Sequence, residues 1–336
     1  PHTRPEDVVI LIATGTHRTN TSEELEEMLS PEILRDYRVV NHYARDDDSL
    51  VRVADTSTGV PVWLNREWVE ADIRITTGFV EPHLFAGFSG GPKLVAPGLC
   101  GLETVMILHN APRIASPRAI WGVTEGNPIH EDIREIATTT GVHFAVDVTL
   151  NTDKEIAEVF AGELLTEHAA ACEAARRDAM QSVPERFDVV ITTNSGYPLD
   201  QNLYQSVKGI KAAAQVAKKG GVIICAAECR DGLPNHGEYA EILESRPTPE
   251  ALIQMIHEPG YAVPDQWQVQ DQAQIQMNHT VYVKNGYLTD EQLRAAHFLP
   301  THDVARKARE ALEEAGPEAT LCVLPNGPLT IPYIAE

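Results

Sequence analysis

The sequence predicts an α/β protein of two lobes, each with a mainly parallel sheet flanked by helices. Three observations point there. Short apolar runs such as Val8-Val9-Ile10-Leu11-Ile12, Phe187-Asp188-Val189-Val190-Ile191 and Gly221-Val222-Ile223-Ile224 have the length and β-branched content of buried strands. These runs alternate with segments of helical period, the pattern of strands joined by crossover helices. The 336 residues, 43% of them hydrophobic, suffice for two cores.

The first lobe is expected over residues 1–183, with strands near 8–13, 37–42, 71–77 and 143–149. Asn127 followed by Pro128 is a helix start, because the side chain can cap and proline fits the first helical position. Residues 164–181 are alanine-rich and strongly helical. Val183-Pro184-Glu185-Arg186 reads as the boundary. The second lobe, 184–336, is expected to carry strands near 187–193, 221–226, 280–284 and 320–324, separated by helices at 201–217, 249–257, 266–277 and 301–315.

The net charge of −22 argues against nucleic acid as a partner, since phosphate binding needs a basic face. No apolar run approaches the ~20 residues of a membrane span, and no signal peptide is visible. Cys100, Cys172, Cys225, Cys229 and Cys322 are odd in number and irregularly spaced, which favours reduced thiols and a cytoplasmic location. Cys225 and Cys229 could hold a metal, but no paired second motif supports this, and buried strand-end thiols suit them better.

Chemistry-bearing residues gather where strands end. The stretch Glu81-Pro82-His83-Leu84-Phe85-Ala86-Gly87-Phe88-Ser89-Gly90-Gly91-Pro92-Lys93, with His109 further on, follows the strand expected at Ala71–Thr77. Gly90 and Gly91 let the backbone approach a ligand and turn N–H groups toward an anion, while Lys93 supplies a charge or a nucleophilic amine. It is not a phosphate-binding P-loop, because Pro92 precedes the lysine and Leu94 follows it, leaving no hydroxyl for magnesium. The opening strand, read as fully buried, runs into Ala13-Thr14-Gly15-Thr16-His17-Arg18, and the strand at 187–193 runs into Asn194-Ser195-Gly196-Tyr197-Pro198-Leu199-Asp200. Ligands of open α/β sheets sit beyond the carboxyl ends of strands, so His17, His83 and the loop before Asp200 could converge there. Asp200 is expected to cap the next helix. In that helix Gln205 and Lys208 stand three apart on one face near its positive end, an arrangement suited to a small carboxylate or, equally, to solvent.

Together these residues resemble the nickel-dependent lactate racemase family of 2-hydroxyacid racemases and epimerases. The resemblance rests on Gly15-Thr16-His17-Arg18, Glu81-Pro82-His83 through Lys93, His109, Tyr197-Pro198-Leu199-Asp200-Gln201-Asn202 with Gln205 and Lys208, and Asp265-Gln266-Trp267. It continues through the terminal Leu324-Pro325-Asn326-Gly327-Pro328-Leu329-Thr330-Ile331-Pro332. It implies a nickel-pincer nucleotide, a pyridinium mononucleotide whose sulfur arms grip nickel, tethered as a thioamide to Lys93, with His109 as a metal ligand. His17 and His83 match the acid/base pair, Gln205 and Lys208 match substrate holders, and Trp267 matches an aromatic wall of the pocket. The substrate would be a small 2-hydroxy acid, lactate or a relative, and dedicated maturation enzymes would supply the cofactor. Cofactor on the first lobe and substrate gripped partly by the second would put the chemistry in the cleft between lobes.

The family precedes the first histidine loop with a longer segment that contacts cofactor and substrate. Here His2-Thr3-Arg4-Pro5 sits too close to the strand for that role, so an N-terminally incomplete sequence is expected. Two other readings stand beside the resemblance. A zinc hydrolase using His17, His83 and His109 would lack a His-x-x-x-His spacing and leave Lys93 without work. A phosphate- or nucleotide-binding module would use the glycine-rich loop alone. Leu84 and Phe85 could wall an apolar pocket or face the core.

Overall fold

The structure is a computed structural model that describes residues 3–151, 153–234 and 237–335. His2 therefore lies outside the described residues. The architecture is mixed α/β, with several parallel sheets flanked by helices. The chain divides into two compact units, one made of residues 1–81, 88–109 and 123–174, the other of 82–87, 110–122 and 175–336.

In the first unit β1 (Val9–Ile12) pairs in parallel with β2 (Arg38–Asn41), and β3 (Leu50–Asp55) pairs antiparallel with β4 (Pro61–Asn65). A third sheet has the order β5 (Ile75–Phe79), β6 (Phe144–Leu150), β7 (Ile156–Gly162), parallel in the first pair and antiparallel in the second. Strand β6 inverts the usual alternation. Its apolar Phe144 and Leu150 are exposed, while Ala145, Asp147 and Thr149 are buried. Helix α1 (Leu102–Leu108) precedes His109, and α2 (Pro128–Thr140) starts at Asn127, whose side chain accepts from Ile129 and His130 N–H. Helix α3 (Leu164–Ala179) follows β7.

Two expectations need correction here. Strand β1 is not fully buried, for Val9 is 37% exposed and, among the described residues, β2 is its one strand partner. The strand read at 71–77 begins four residues later, because Arg74 spends its guanidinium on the carbonyls of Ala71 (2.7 Å) and Gly141 (2.9 Å), and Ile73 lies exposed.

The second unit is built on a five-stranded, wholly parallel sheet. Its strands are β9 (Phe187–Thr193), β10 (Ala217–Ala226), β11 (Thr280–Lys284), β12 (Leu299–Pro300) and β13 (Leu321–Leu324), in the order β12-β11-β10-β9-β13. A separate parallel pair joins β8 (Met180–Val183) to β14 (Ile331–Ile334). On one face of the large sheet Val190, Ile223 and Val283 pack with α4 (Leu203–Ala214), α5 (Pro249–Ile256) and α6 (Gln266–Gln276). On the other face Val189 and Ile224 meet Ala308 and Ala311 of α7 (Val304–Ala315). Cover on both faces explains why these strands read as unbroken apolar runs. Among the described residues no helix is long and apolar enough to cross a membrane.

Candidate active site

The first unit brings the His17 turn, Lys93 and His109 together. Strand β1 ends in a turn where Thr14 Oγ1 donates to the His42 carbonyl and His17 N–H donates to Thr14 O at 3.1 Å. Gly15, at φ +58°, donates its N–H to Gly98 O (2.9 Å), and Gly98 in turn donates to Lys93 O (3.2 Å). This relay brings the backbones close enough that a Cβ on Gly98 would stand 2.3 Å from Leu94 O. His17 itself is exposed. Lys93 is half-buried in the short 3-10 helix Gly91–Leu94, entered through Gly90 at φ +69°.

His109 closes α1 and is 5% exposed. Its Nδ1 lies 2.8 Å from Val105 O. A carbonyl only accepts, so Nδ1 carries the proton and the lone pair belongs to Nε2. Burial, and then the charge of Lys93, push its imidazole down to about 4, so the ring is neutral at physiological pH. A neutral imidazole with one nitrogen fixed by a carbonyl is the form in which histidine ligates a metal.

The second unit holds His83, Gln205, Lys208 and Trp267. His83 Nδ1 accepts the Ala86 N–H at 3.2 Å, and its ring meets Phe85 edge-on at 4.6 Å. That places the proton of the neutral ring on Nε2. Leu84 and Phe85 are 2% and 6% exposed and so belong to the core rather than to an open pocket wall.

The cap of α4 is Asn202, not Asp200. Asn202 Oδ1 accepts the Gln205 N–H at 3.0 Å, while Asp200 Oδ2 is drawn away to the Glu228 N–H at 2.7 Å. Gln205 and Lys208 are both half-buried on this helix. Trp267, 4% exposed, donates its indole N–H to the Tyr204 hydroxyl at 3.0 Å, and burial pushes that phenol upward. The terminal motif returns to the end of β9, where Thr193 Oγ1 donates to Pro325 O (2.7 Å) and Gly327 lies so close to Thr193 O that no Cβ fits.

Sequence reasoning missed Tyr204, the partner of Trp267, and the buried trio Asp147, Glu167 and His168 behind the glycine turn. Tyr204, Asp147 and His168 bond to Trp267, Gly91 and Ser89, far along the chain, and both Glu167 oxygens lack a hydrogen-bond partner, so none of these leaves a local signal. Cys225 and Cys229 are buried thiols, pushed up by desolvation, Cys229 to about 11. Among the described residues no group of three His, Cys, Asp or Glu side chains is placed to hold a metal ion.

Comparison with known proteins gives a consistent picture. A model described as the lactate racemase N-terminal domain matches residues 2–122, and one described as the lactate racemase C-terminal domain matches 183–331. The chain is 37% identical over 324 residues to the lactate racemase of Lactiplantibacillus plantarum, covering 95% of this chain and 75% of that protein. It is 35% identical over 323 residues to the lactate racemase of Thermoanaerobacterium thermosaccharolyticum, covering 96% and 75%. The structure of that second organism's lactate racemase apoprotein superposes with a TM-score of 0.93 at 34% identity, over 97% of this chain and 78% of that one. A Thermotoga maritima protein, with a TM-score of 0.75 at 18% identity over 97% of this chain and 86% of that one, shares the fold.

Proposed function

The chain belongs to the lactate racemase family of isomerases, and on that premise we propose that it interconverts the enantiomers of lactate or a close 2-hydroxy acid with a nickel-pincer nucleotide tethered to Lys93. The observation that carries the reading is His109, neutral and oriented through Val105, with the charge of Lys93 close by. The residues fit the group. Imidazole is a natural nickel donor, and acylation of Lys93 removes a charge that is costly beside a buried ring. When bound, the cofactor supplies a reversible acceptor for the hydride on C2.

The rest falls to side chains. Lys208 and Gln205 near the start of α4 would hold the carboxylate, the ammonium by charge and the amide by hydrogen bonding. With the carboxylate pinned, the hydroxyls of the two enantiomers point to different sides, so one base cannot serve both. His17 would take or return the hydroxyl proton on one side and His83 on the other, and exposure lets His17 exchange protons with solvent. His83 rests with its proton on Nε2. To act as a base there it must adopt the other tautomer and release the Ala86 amide. Maturation enzymes are the implied partners.

Matured protein should racemise enantiopure lactate, and in D₂O the product should keep protium at C2. Absence of interconversion would remove the racemase reading. Substantial deuterium at C2 in the first turnovers would replace hydride retention with proton abstraction.

A further inference from the structure

The turn Ser89-Gly90-Gly91, which feeds the 3-10 helix carrying Lys93, is held from two sides by buried side chains of the first unit. From β6, the fully buried Asp147 accepts the Gly91 N–H on Oδ2 at 2.5 Å. From α3, His168, 4% exposed, places Nε2 2.8 Å from Ser89 O and must donate to it. One group thus holds an amide of the turn and the other holds a carbonyl.

Sterics tighten the grip. Gly90 and Gly91 have φ of +69° and +46°, a region that only glycine enters at little cost. A Cβ on Gly90 would lie 2.9 Å from both Asp147 Oδ2 and Phe79 O, and one on Gly91 would lie 2.4 Å from the His168 ring. The turn is therefore seated between the carboxylate and the imidazole. The turn also has bonds of its own, Ser89 N–H to Glu81 O at 2.9 Å and Lys93 N–H to Gly90 O at 3.0 Å, and the two buried side chains add to them. The arrangement is also poorly satisfied. Asp147 Oδ1 and both oxygens of Glu167, whose carboxyl interacts with Asp147, are buried without hydrogen-bond partners. A carboxylate that finds one partner in the interior, and finds it in this turn, is hard to explain as packing alone.

We propose that Asp147 and His168 are positioning residues for the tether: they fix the Ser89-Gly91 turn so that Lys93 is presented in the one orientation from which it is joined to the cofactor. This rests on the reading of Lys93 given above. Neither side chain is assigned contact with substrate or with reacting atoms.

The test compares variants that keep the bonding group with variants that delete it. Asp147→Asn retains an acceptor and His168→Gln retains a donor near the same place, whereas Asp147→Ala and His168→Leu retain neither. Each protein is made with the maturation enzymes and weighed intact for the Lys93 adduct. Each is also made without them for hydrogen exchange across residues 86–95 and for thermal melting. Asp147→Ala and His168→Leu should lose the adduct at least tenfold and exchange faster at the turn, while Asp147→Asn and His168→Gln keep most of both. Should Asp147→Ala fail to fold, the two histidine variants carry the comparison. Equal adduct in all variants overturns the proposal, as does equal loss in His168→Gln and His168→Leu, or loss tracking a global fall in Tm with unchanged exchange at the turn. Unmodified Lys93 in the parent protein would overturn the tether reading itself, and is distinguished because the exchange measurement still registers the clamp.

Discussion

Two buried carboxylate sites, one in each unit, are balanced differently. In the second, the buried Asp271 of α6 is matched by Lys211 of α4 at 2.7 Å, and Gln270 and Gln272 spend their amide N–H groups on the carbonyls of Ala111 and Ala296. Burial still pushes the Asp271 carboxyl up, yet the lysine opposes the shift, so the pair is electrostatically balanced. In the first, the buried Asp147 and Glu167 interact with one another, and Asp147 Oδ1 and both Glu167 oxygens have no hydrogen-bond partner. The second unit carries Gln205 and Lys208 on α4, and it too buries atoms without hydrogen-bond partners, among them Asp200 Oδ1 and Gln270 Oε1. In the first unit the buried Asp147 holds the turn that leads to Lys93.

The contrast breaks most sharply at the histidines, since one lies in each unit. His17→Ala and His83→Ala should each lower turnover by about 10²–10⁴-fold, the usual contribution of a general acid or base. On the proposed mechanism a full cycle would use both, so loss of either should impair both directions, which steady-state assays on each enantiomer would reveal. A His83 variant as active as the parent would leave the second unit with substrate binding alone.

A smaller effect sharpens the comparison through pH. Burial first, and then the charges of Asp147 and Glu163, push the Glu167 carboxyl from its ordinary 4.5 to about 8. Between those values the folded protein holds a proton that the unfolded chain releases. Stability contributed by this group is therefore complete below about 4.5 and declines until about pH 8. Glu167→Gln should flatten the fall of Tm between pH 5 and 8. The same slope in parent and variant would show that the group is not held neutral.

Much of the second unit was legible because its sheet is covered on both faces. Runs such as Val189-Val190-Ile191 and Val281-Tyr282-Val283 then need no alternation to be recognised as strands. The capped start of α2 was equally plain, since Asn127-Pro128 carries the signal locally. The first unit was harder. Strand β6 buries Asp147 and exposes Phe144, so its pattern misreports which face is the core. The cap of α4 was misassigned because Asp200 and Asn202 are both capping types, and only the distant Glu228 amide decides between them. For the site, His17, Lys93 and His109 could be named one by one. The relay from Gly15 through Gly98 to Lys93, and the grip of Asp147 and His168, join residues far apart in the chain and appear only in the fold.

The central claim is a division of labour, with the cofactor anchored by the first unit and the substrate held by the second. Its most direct test is the intact mass and nickel content of Lys93→Ala and Lys208→Ala, both produced with the maturation enzymes. Lys208→Ala should carry the parent's adduct and nickel while losing substrate affinity or turnover, and Lys93→Ala should carry no adduct. An adduct that survives in Lys93→Ala, or nickel and adduct lost together in Lys208→Ala, would contradict it.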